Sequence, residues 1–483
     1  MTPMVCDLVV LGGGIVGLWT ARLAARAGAR VVVVEVGPRN IPEQRDPTPP
    51  IRFAARENLG ALRARNHVLT GNSSYWGGGL VRNPRGALDE LFGVATAAQV
   101  EREYPVVETT LGVGAGFTPA KLVVAGRALH EVAVLPGRRR GVWGAFEEPG
   151  VNCLTNAHVT KVVLAPGKGI ERAVVQWEGH EQVELVADQF ALSMGVIDSN
   201  LFAQRWLASS VPAAVRGVLG TRLHDHWSVP VADLLWQANQ NVDQLFPPKF
   251  RAGIVAGRRV VVDRGFFHVT VDLDKTPPYD RVKELMRVRQ QGKGNLATIT
   301  AAASTMASPL RMLRAGIHYL THRELFIADG SRVQLVLDFE SSRSTENKIT
   351  NGAVDAVLHW DVRDDDHGAF GEIVRANRDW WEAVWRSAGI DFDWQFSDWS
   401  SEALRRHLDE HAIDAYHLGG GLHPDTPADD GVSESNGRLR GCPNTFVNGT
   451  AFFSRPGPAN PVLTLLARAS VYVGELAGGG IGS

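Results

Sequence analysis

The sequence predicts an α/β protein in two parts: one half built on a doubly wound parallel sheet, the other a discontinuous domain on a mainly antiparallel sheet with helices. Three observations predict it. The chain opens with a complete strand, glycine turn, helix and second strand, the pattern of a βαβ unit. After that unit the βαβ rhythm stops, and period-two strand patterns dominate the centre of the chain. At 483 residues the chain is also too long for one ordinary core and fits two domains or one with a large insertion.

The first element is Asp7-Leu8-Val9-Val10-Leu11, a short apolar run suited to a buried parallel strand. Gly12-Gly13-Gly14-Ile15-Val16-Gly17 follows, then a helix-forming stretch through Ala27 that Gly28 closes. A second strand over Arg30 to Val36 carries Glu35 at its end. The glycines serve different ends. Gly12 permits the tight turn, Gly14 lets backbone N–H groups approach a pyrophosphate, and Gly17 allows close packing of helix on strand. Glu35 is placed to accept the hydroxyls of a ribose. This unit is Rossmann-like and binds a dinucleotide, and the motif does not separate FAD from NAD.

Pro38 to Pro50 reads as a polar loop and Glu57 to Val68 as an arginine-rich helix. Gly71-Asn72-Ser73-Ser74-Tyr75-Trp76-Gly77-Gly78-Gly79 is a second backbone-rich segment, fit either to bring amide N–H groups against a phosphate or planar ring or to serve as a plain turn. Strand patterns return over Val151 to Leu164 and Val183 to Leu192. The centre, Trp227 to Asp366, combines strands such as Phe266 to Leu273 and Arg332 to Phe339 with a helix near Ser308 to Leu320. The expected division is residues 1–95, 150–226 and 400–483 for the cofactor-binding domain, with 96–149 and 227–399 for the substrate-binding domain.

Composition narrows the function classes. A formal net charge of −2 gives no electrostatic footprint for nucleic acid. Three cysteines without CxxC spacing argue against a disulfide framework or zinc site and fit a reducing compartment. Neither a basic signal-peptide region nor an apolar run of about 18 residues is read in the sequence, so the expectation is a cytoplasmic protein without membrane partners. His224-Asp225-His226 offers three potential ligand groups. Consecutive positions give no usable ligand face in one regular element, so a structural bridge is expected there and no metal.

The late segments Tyr416-His417-Leu418-Gly419-Gly420 and Ala459-Asn460-Pro461 hold the residue types that alcohol oxidation needs. A base must take the hydroxyl proton as hydride leaves carbon, and a second group must hold the oxygen. His417 is the candidate base and Asn460 its partner. Pro461 restricts Asn460 to an extended backbone and opens a helix through Val462-Leu463-Thr464 to about Leu476, whose N-terminus would aim positive dipole at a bound cofactor. Arg455 suits either an anionic or polyhydroxylated substrate or a solvated loop charge. Trp380, Trp381, Trp385, Trp394 and Trp399 suit either a sugar-binding platform or a core.

Taken in order, these segments resemble the glucose-methanol-choline (GMC) oxidoreductases, FAD-dependent alcohol oxidases and dehydrogenases. The Gly12 to Gly17 turn with Glu35 is similar to their ADP-binding unit, and Gly71 to Gly79 to their flavin loop. Ala157-His158-Val159 sits where the family passes a valine backbone by the adenine, and Ala191 to Ile197 resembles another of their cofactor segments. Leu219-Gly220 with Asp225-His226, Arg343 to Thr350, Gly437 to Asn448 and Asn460 to Thr464 complete the resemblance. It implies FAD contacts at Gly12, Gly14, Gly17, Glu35, Asn72, Ser73, Ser74, Trp76, Gly77, Val159, Asn448, Gly449, Pro461 and Val462, with His417 and Asn460 catalytic. The family's His/Asn arrangement is one of two, the other being His/His.

Two departures stand out. Asn448 replaces a common aspartate, so its cofactor contact would be uncharged, and Gly421-Leu422-His423-Pro424 alters the loop beside the ring. A branch resembling pyranose oxidases binds flavin covalently through a histidine where this chain has Ser74-Tyr75-Trp76, which implies non-covalent FAD. The implied activity is oxidation of an alcohol, CH–OH to carbonyl, on a sugar, polyol or glycosylated natural product, with oxygen or another electron acceptor. A lyase keeping FAD as scaffold and an amine or amino-acid oxidase are the alternative readings.

Overall fold

A computed structural model describes residues 3–40, 51–74, 76–113, 122–135, 148–177, 182–237, 245–246, 248–251, 254–271, 309–352, 355–424 and 431–478. The first strand, Met4–Leu11, is flanked by Val31–Val34 on one side and Val183–Leu192 on the other, both parallel to it. Val151–Leu154 extends the sheet beyond Val31–Val34, and Cys442–Val447 extends it beyond Val183–Leu192, again in parallel. Continuous valine and leucine runs dictate this placement, because strands covered on both faces need apolar side chains on both. Leu8, Val9, Val10 and Val33 are completely buried. The helix Ile15–Arg26 covers one face together with the C-terminal helix Pro461–Gly478.

A second, antiparallel sheet runs in the order Phe392–Trp394, His226–Leu235, Arg332–Glu340, Gly265–Thr270, Ile254–Val262, Arg127–Val134 and Gly79–Leu80. Alternation along Ile254–Val262 buries one residue in two, as a sheet with unlike faces requires. The long helix Asp364–Ser387 seals this sheet. Trp381 and Trp385 are buried there, their rings stacked 5.4 Å apart, while Trp380, Trp394 and Trp399 pack around the same core. The tryptophan cluster is therefore core packing.

Several expected elements shift. The helix expected over Glu57 to Val68 is only Leu59–Arg63, capped by Asn58, whose side chain accepts from the Ala61 N–H at 2.7 Å. Its first N–H groups donate to the Asp414 carboxylate at 2.6 and 2.7 Å, and it stops where Arg65 turns away to pair with Asp198. A strand at Gly169–Trp177, not expected from the sequence, joins Ala157–Ala165 to Val183–Leu192 in antiparallel fashion. The strand expected from Phe266 is Gly265–Thr270, and the helix expected near Ser308 is Pro309–His322. Tyr75 lies outside the described residues, as does much of Pro38 to Pro50.

Candidate active site

The glycine turn is built by close approach. Gly12 adopts φ of +102°, and a Cβ there would lie 2.5 Å from the Ser193 carbonyl oxygen. At Gly17 a Cβ would fall 2.1 Å from the Gly12 carbonyl oxygen, so no side chain fits between helix and strand. Gly14 differs, with an ordinary φ of −67° and, among the described residues, only the Ser193 oxygen, 3.9 Å away, near its missing Cβ. Space therefore lies open beside the N-terminus of the first helix, which has no side-chain cap and no acidic residue in its first turn. Backbone N–H groups with positive dipole facing an open space form an anion site, which fits a pyrophosphate.

Glu35 sits at the end of Val31–Val34, buried, accepting from the N–H groups of Gly13 and Gly37 at 2.8 Å each. Burial raises its pKa, against the pull of those two donors. Val159 lies two residues beyond Ala157, whose N–H donates to the Glu35 carbonyl at 2.9 Å, so the segment expected at the adenine runs past the expected ribose acceptor.

The loop expected at the flavin is brought onto this turn. Thr70 donates its N–H to the Gly13 carbonyl at 2.8 Å, and a Cβ at Gly71 would lie 3.2 Å from the Gly14 Cα. Gly71–Ser74 forms a single 3₁₀ turn. Ser73 is buried and donates its hydroxyl to the Thr70 carbonyl at 2.6 Å. Asn72 is exposed, its side-chain oxygen accepting from Asn66. Trp76 packs against the core, and Gly77 is exposed with none of the described residues near its missing Cβ.

Asn448 is buried at the end of Cys442–Val447, its amide nitrogen donating to Thr20 at 2.8 Å and Ser193 at 2.9 Å. It ties the first helix to the end of the central strand, so an amide nitrogen is directed into the fold where a carboxylate would have needed donors. Gly449 is extended, and Pro461 is buried at the start of the C-terminal helix, which has no acidic residue in its first turn; Val462 packs against the core.

His417 and Asn460, 43 residues apart, meet with His417 Nε2 3.0 Å from Asn460 Nδ2. Gly79, at the end of the flavin-loop segment, brings its Cβ position within 3.6 Å of Asn460 Oδ1. The Asp225 carboxylate accepts from the His417 N–H at 3.0 and 3.1 Å and from the His226 N–H at 2.7 Å, which fixes the histidine's backbone. Tyr416 before it holds φ of +63°, a left-handed conformation that a non-glycine residue rarely adopts.

His224 and His226 staple the loop leading to Asn460: each donates its Nε2 proton to a carbonyl, Phe453 at 2.9 Å and Gly457 at 2.6 Å. Burial lowers both pKa values, that of His224 to about 3. Asp225, His226 and His417 bring ligand-type atoms within 4.8 Å of one another, yet the Asp225 carboxylate is already taken by backbone N–H groups. The His417 pKa is held well below the ordinary 6.5, chiefly by burial and further by His226 and Arg259. A histidine so placed is neutral at pH 7 and can accept a proton.

Arg455 does not reach toward His417. It forms a paired hydrogen bond with the Glu340 carboxylate at 2.9 and 2.9 Å and contacts Glu90, so its charge serves the loop. Arg259 was not expected from the sequence, and its Nη2 donates to Asn460 Oδ1 at 2.9 Å while the guanidinium lies 3.9 Å from the centre of the Phe266 ring. On the same sheet His268 Nδ1 lies 3.6 Å from Asp338 Oδ2. A signal for Arg259 was present: Arg258-Arg259 interrupts an otherwise apolar strand, and a charge pair inside such a run asks for buried partners. Arg258 finds one in Glu131, at 3.8 Å.

A dinucleotide cradle joined to a histidine–carboxamide pair fits a flavin-dependent oxidoreductase. Residues 343–469, which carry that pair, match the family model described as GMC oxidoreductase. Its fold is similar to pyridoxine 4-oxidase from Mesorbium loti at 13% identity and a TM-score of 0.59, covering 97% of this chain and 99% of that one. It is similar as well to a formate oxidase at 14% identity, TM-score 0.58 and 99% coverage of both chains. A formate oxidase variant from Aspergillus oryzae, studied for FAD modification, gives 14% identity, TM-score 0.60 and 99% coverage of both. None of the curated protein sequences compared with the chain matches it.

Proposed function

We propose that the protein oxidises an alcohol group to a carbonyl, with His417 as base and Asn460 as the group that orients the alcohol. The observation that carries this reading is the 3.0 Å contact between His417 Nε2 and Asn460 Nδ2, held within reach of the flavin-loop segment at Gly79. When bound, FAD supplies the hydride acceptor. His417 Nε2 takes the hydroxyl proton, and the Asn460 carboxamide holds the oxygen and so fixes the alcohol's orientation. Asp225 keeps the imidazole in place through the backbone.

The substrate in this reading is a sugar, polyol or glycosylated natural product. Support comes from the sheet beside the base, where Arg259 Nη1 and Asp338 Oδ1 are buried without a hydrogen-bond partner among the described residues. One is a donor and the other an acceptor, and hydroxyl groups satisfy both. FAD is held non-covalently, a reading supported by the absence of histidine from Ser74-Tyr75-Trp76. Electrons pass to oxygen or another acceptor, and the enzyme works in the cytoplasm. Residues 1–95, 150–226 and 400–483 make up the cofactor-binding domain, with 96–149 and 227–399 forming the substrate-binding domain.

The test is an anaerobic screen of sugars, polyols and simple alcohols followed by bleaching of the bound flavin, repeated on His417→Ala. Bleaching by a hydroxyl compound that slows at least ~100-fold in the variant is expected for loss of a general base. An unchanged rate refutes the assignment.

A further inference from the structure

We infer that Arg259 is a positioning residue that selects which nitrogen of His417 acts as the base. This deepens the proposed alcohol oxidation and rests on it only for the purpose the selected nitrogen serves. The oxygen and nitrogen of a carboxamide are nearly alike in shape and differ only in what they bind. A guanidinium can only donate, so the Asn460 atom facing Arg259 Nη2 at 2.9 Å is the oxygen. Asn460 then turns its NH2 group to His417 Nε2 at 3.0 Å. An NH2 group can only donate there, so Nε2 carries the lone pair and the imidazole proton resides on Nδ1. One cation on the antiparallel sheet, Arg259, thus fixes the carboxamide, and the carboxamide fixes the tautomer.

Arg259 is itself held rigidly. Its guanidinium lies over the Phe266 ring, a stacked arrangement that planar arginine favours. Burial lowers its pKa to about 10, with Asp338 acting to raise it, so the group remains charged at neutral pH. The charged and titratable groups facing His417 are Asp225 and His226 from the strand His226–Leu235 and its entry, and Arg259 from Ile254–Val262; Asp338 and His268 face Arg259 in turn. Asp225 engages the His417 backbone N–H. The ring is governed by His226 and Arg259, and of these only Arg259 is a cation at neutral pH.

Histidine tautomers and charge states are read directly by nitrogen NMR on holoenzyme labelled with 15N-histidine, with His417 assigned by its disappearance in His417→Gln. No substrate is needed. The wild type is expected to show Nδ1 protonated and Nε2 bare from pH 6 to 9. In Arg259→Met the Nε2–H form is expected to appear, and the imidazole should protonate about one unit higher, the size of shift a neighbouring charge exerts. Arg259→Lys keeps a cation and one donor, and should retain the wild-type tautomer. A protonated Nε2 in the wild type, or a tautomer and titration unchanged in Arg259→Met, overturns the assignment. The wild-type spectrum decides even where a variant does not fold. Failure of the alcohol-oxidation reading shows separately, as an undiminished bleaching rate in His417→Ala.

Discussion

Gly14→Ala separates cofactor binding from folding. The residue has φ of −67°, which alanine adopts without strain, and the added methyl would have only one atom of the described residues near it, at 3.9 Å. Folding should be unharmed, and restricting the unfolded chain contributes about 0.4–1 kcal/mol of stability. The methyl would instead enter the open space beside the uncapped helix N-terminus. Phosphate oxygens accept from backbone N–H groups at about 2.9 Å, a distance a methyl group between them does not allow. Losing one charge-assisted hydrogen bond costs about 1.5–3 kcal/mol, which corresponds to about 10- to 150-fold weaker FAD binding. The assay is reconstitution of flavin-free protein with FAD followed by flavin fluorescence, alongside thermal unfolding of the flavin-free form. A variant that binds FAD within two-fold of the wild type would show that the space beside Gly14 is not where the phosphates lie.

Gly17→Ala should do the opposite, destabilising the flavin-free protein by more than the ~1–3 kcal/mol usual for overpacking, because its Cβ would sit 2.1 Å from a backbone oxygen; equal denaturation midpoints for variant and wild type would contradict this. Arg468 is buried among Phe92, Phe446 and Phe452, 3.8 Å from the last ring centre, and donates to the Val447 carbonyl at 3.1 Å. Arg468→Ala should cost about 3 kcal/mol or more in urea unfolding, and a loss under 1 kcal/mol would be inconsistent with that packing. Because the folded pKa of His417 lies well below 6.5, its neutral form persists as pH falls through the usual histidine range. Flavin bleaching by the best substrate of the screen should therefore stay level from pH 8 to 6.5 and decline only in more acid buffer; a midpoint at or above 6.5 would count against it.

What the sequence made legible follows from how local each constraint is. The first strand, the glycine turn and the helix ending at Arg26 are encoded within a few tens of residues by apolar runs and by glycines no other residue can replace, and they fold as expected. The partnership of His417 with Asn460 was legible as well, because each residue lies in a segment with its own glycine or proline punctuation. Arg259 was not legible as a partner. Its role depends on the antiparallel sheet placing Ile254–Val262 against the carboxamide, a long-range event that no local period announces. The sequence marks Asn448 as a cofactor contact but announces nothing of its amide nitrogen's bonds to Thr20 and Ser193, partners more than 250 residues away in sequence. Glu57 to Val68 falls short as a helix for a related reason: distant Asp414 caps its first turn at Leu59 and Gly60, and it stops where Arg65 turns away to pair with Asp198.

The strand Cys442–Val447 pairs with Val183–Leu192, so one edge of the central sheet waits for residues made roughly 250 positions later. At ribosomal rates of about 5–20 residues per second, roughly 250 residues take on the order of ten to fifty seconds to follow. During that interval the edge of Phe190, Ala191 and Leu192 is bare, and an unpaired apolar edge invites other chains. The nascent protein therefore has a timed exposure to aggregation that ends when Cys442–Val447 emerges to pair with this edge.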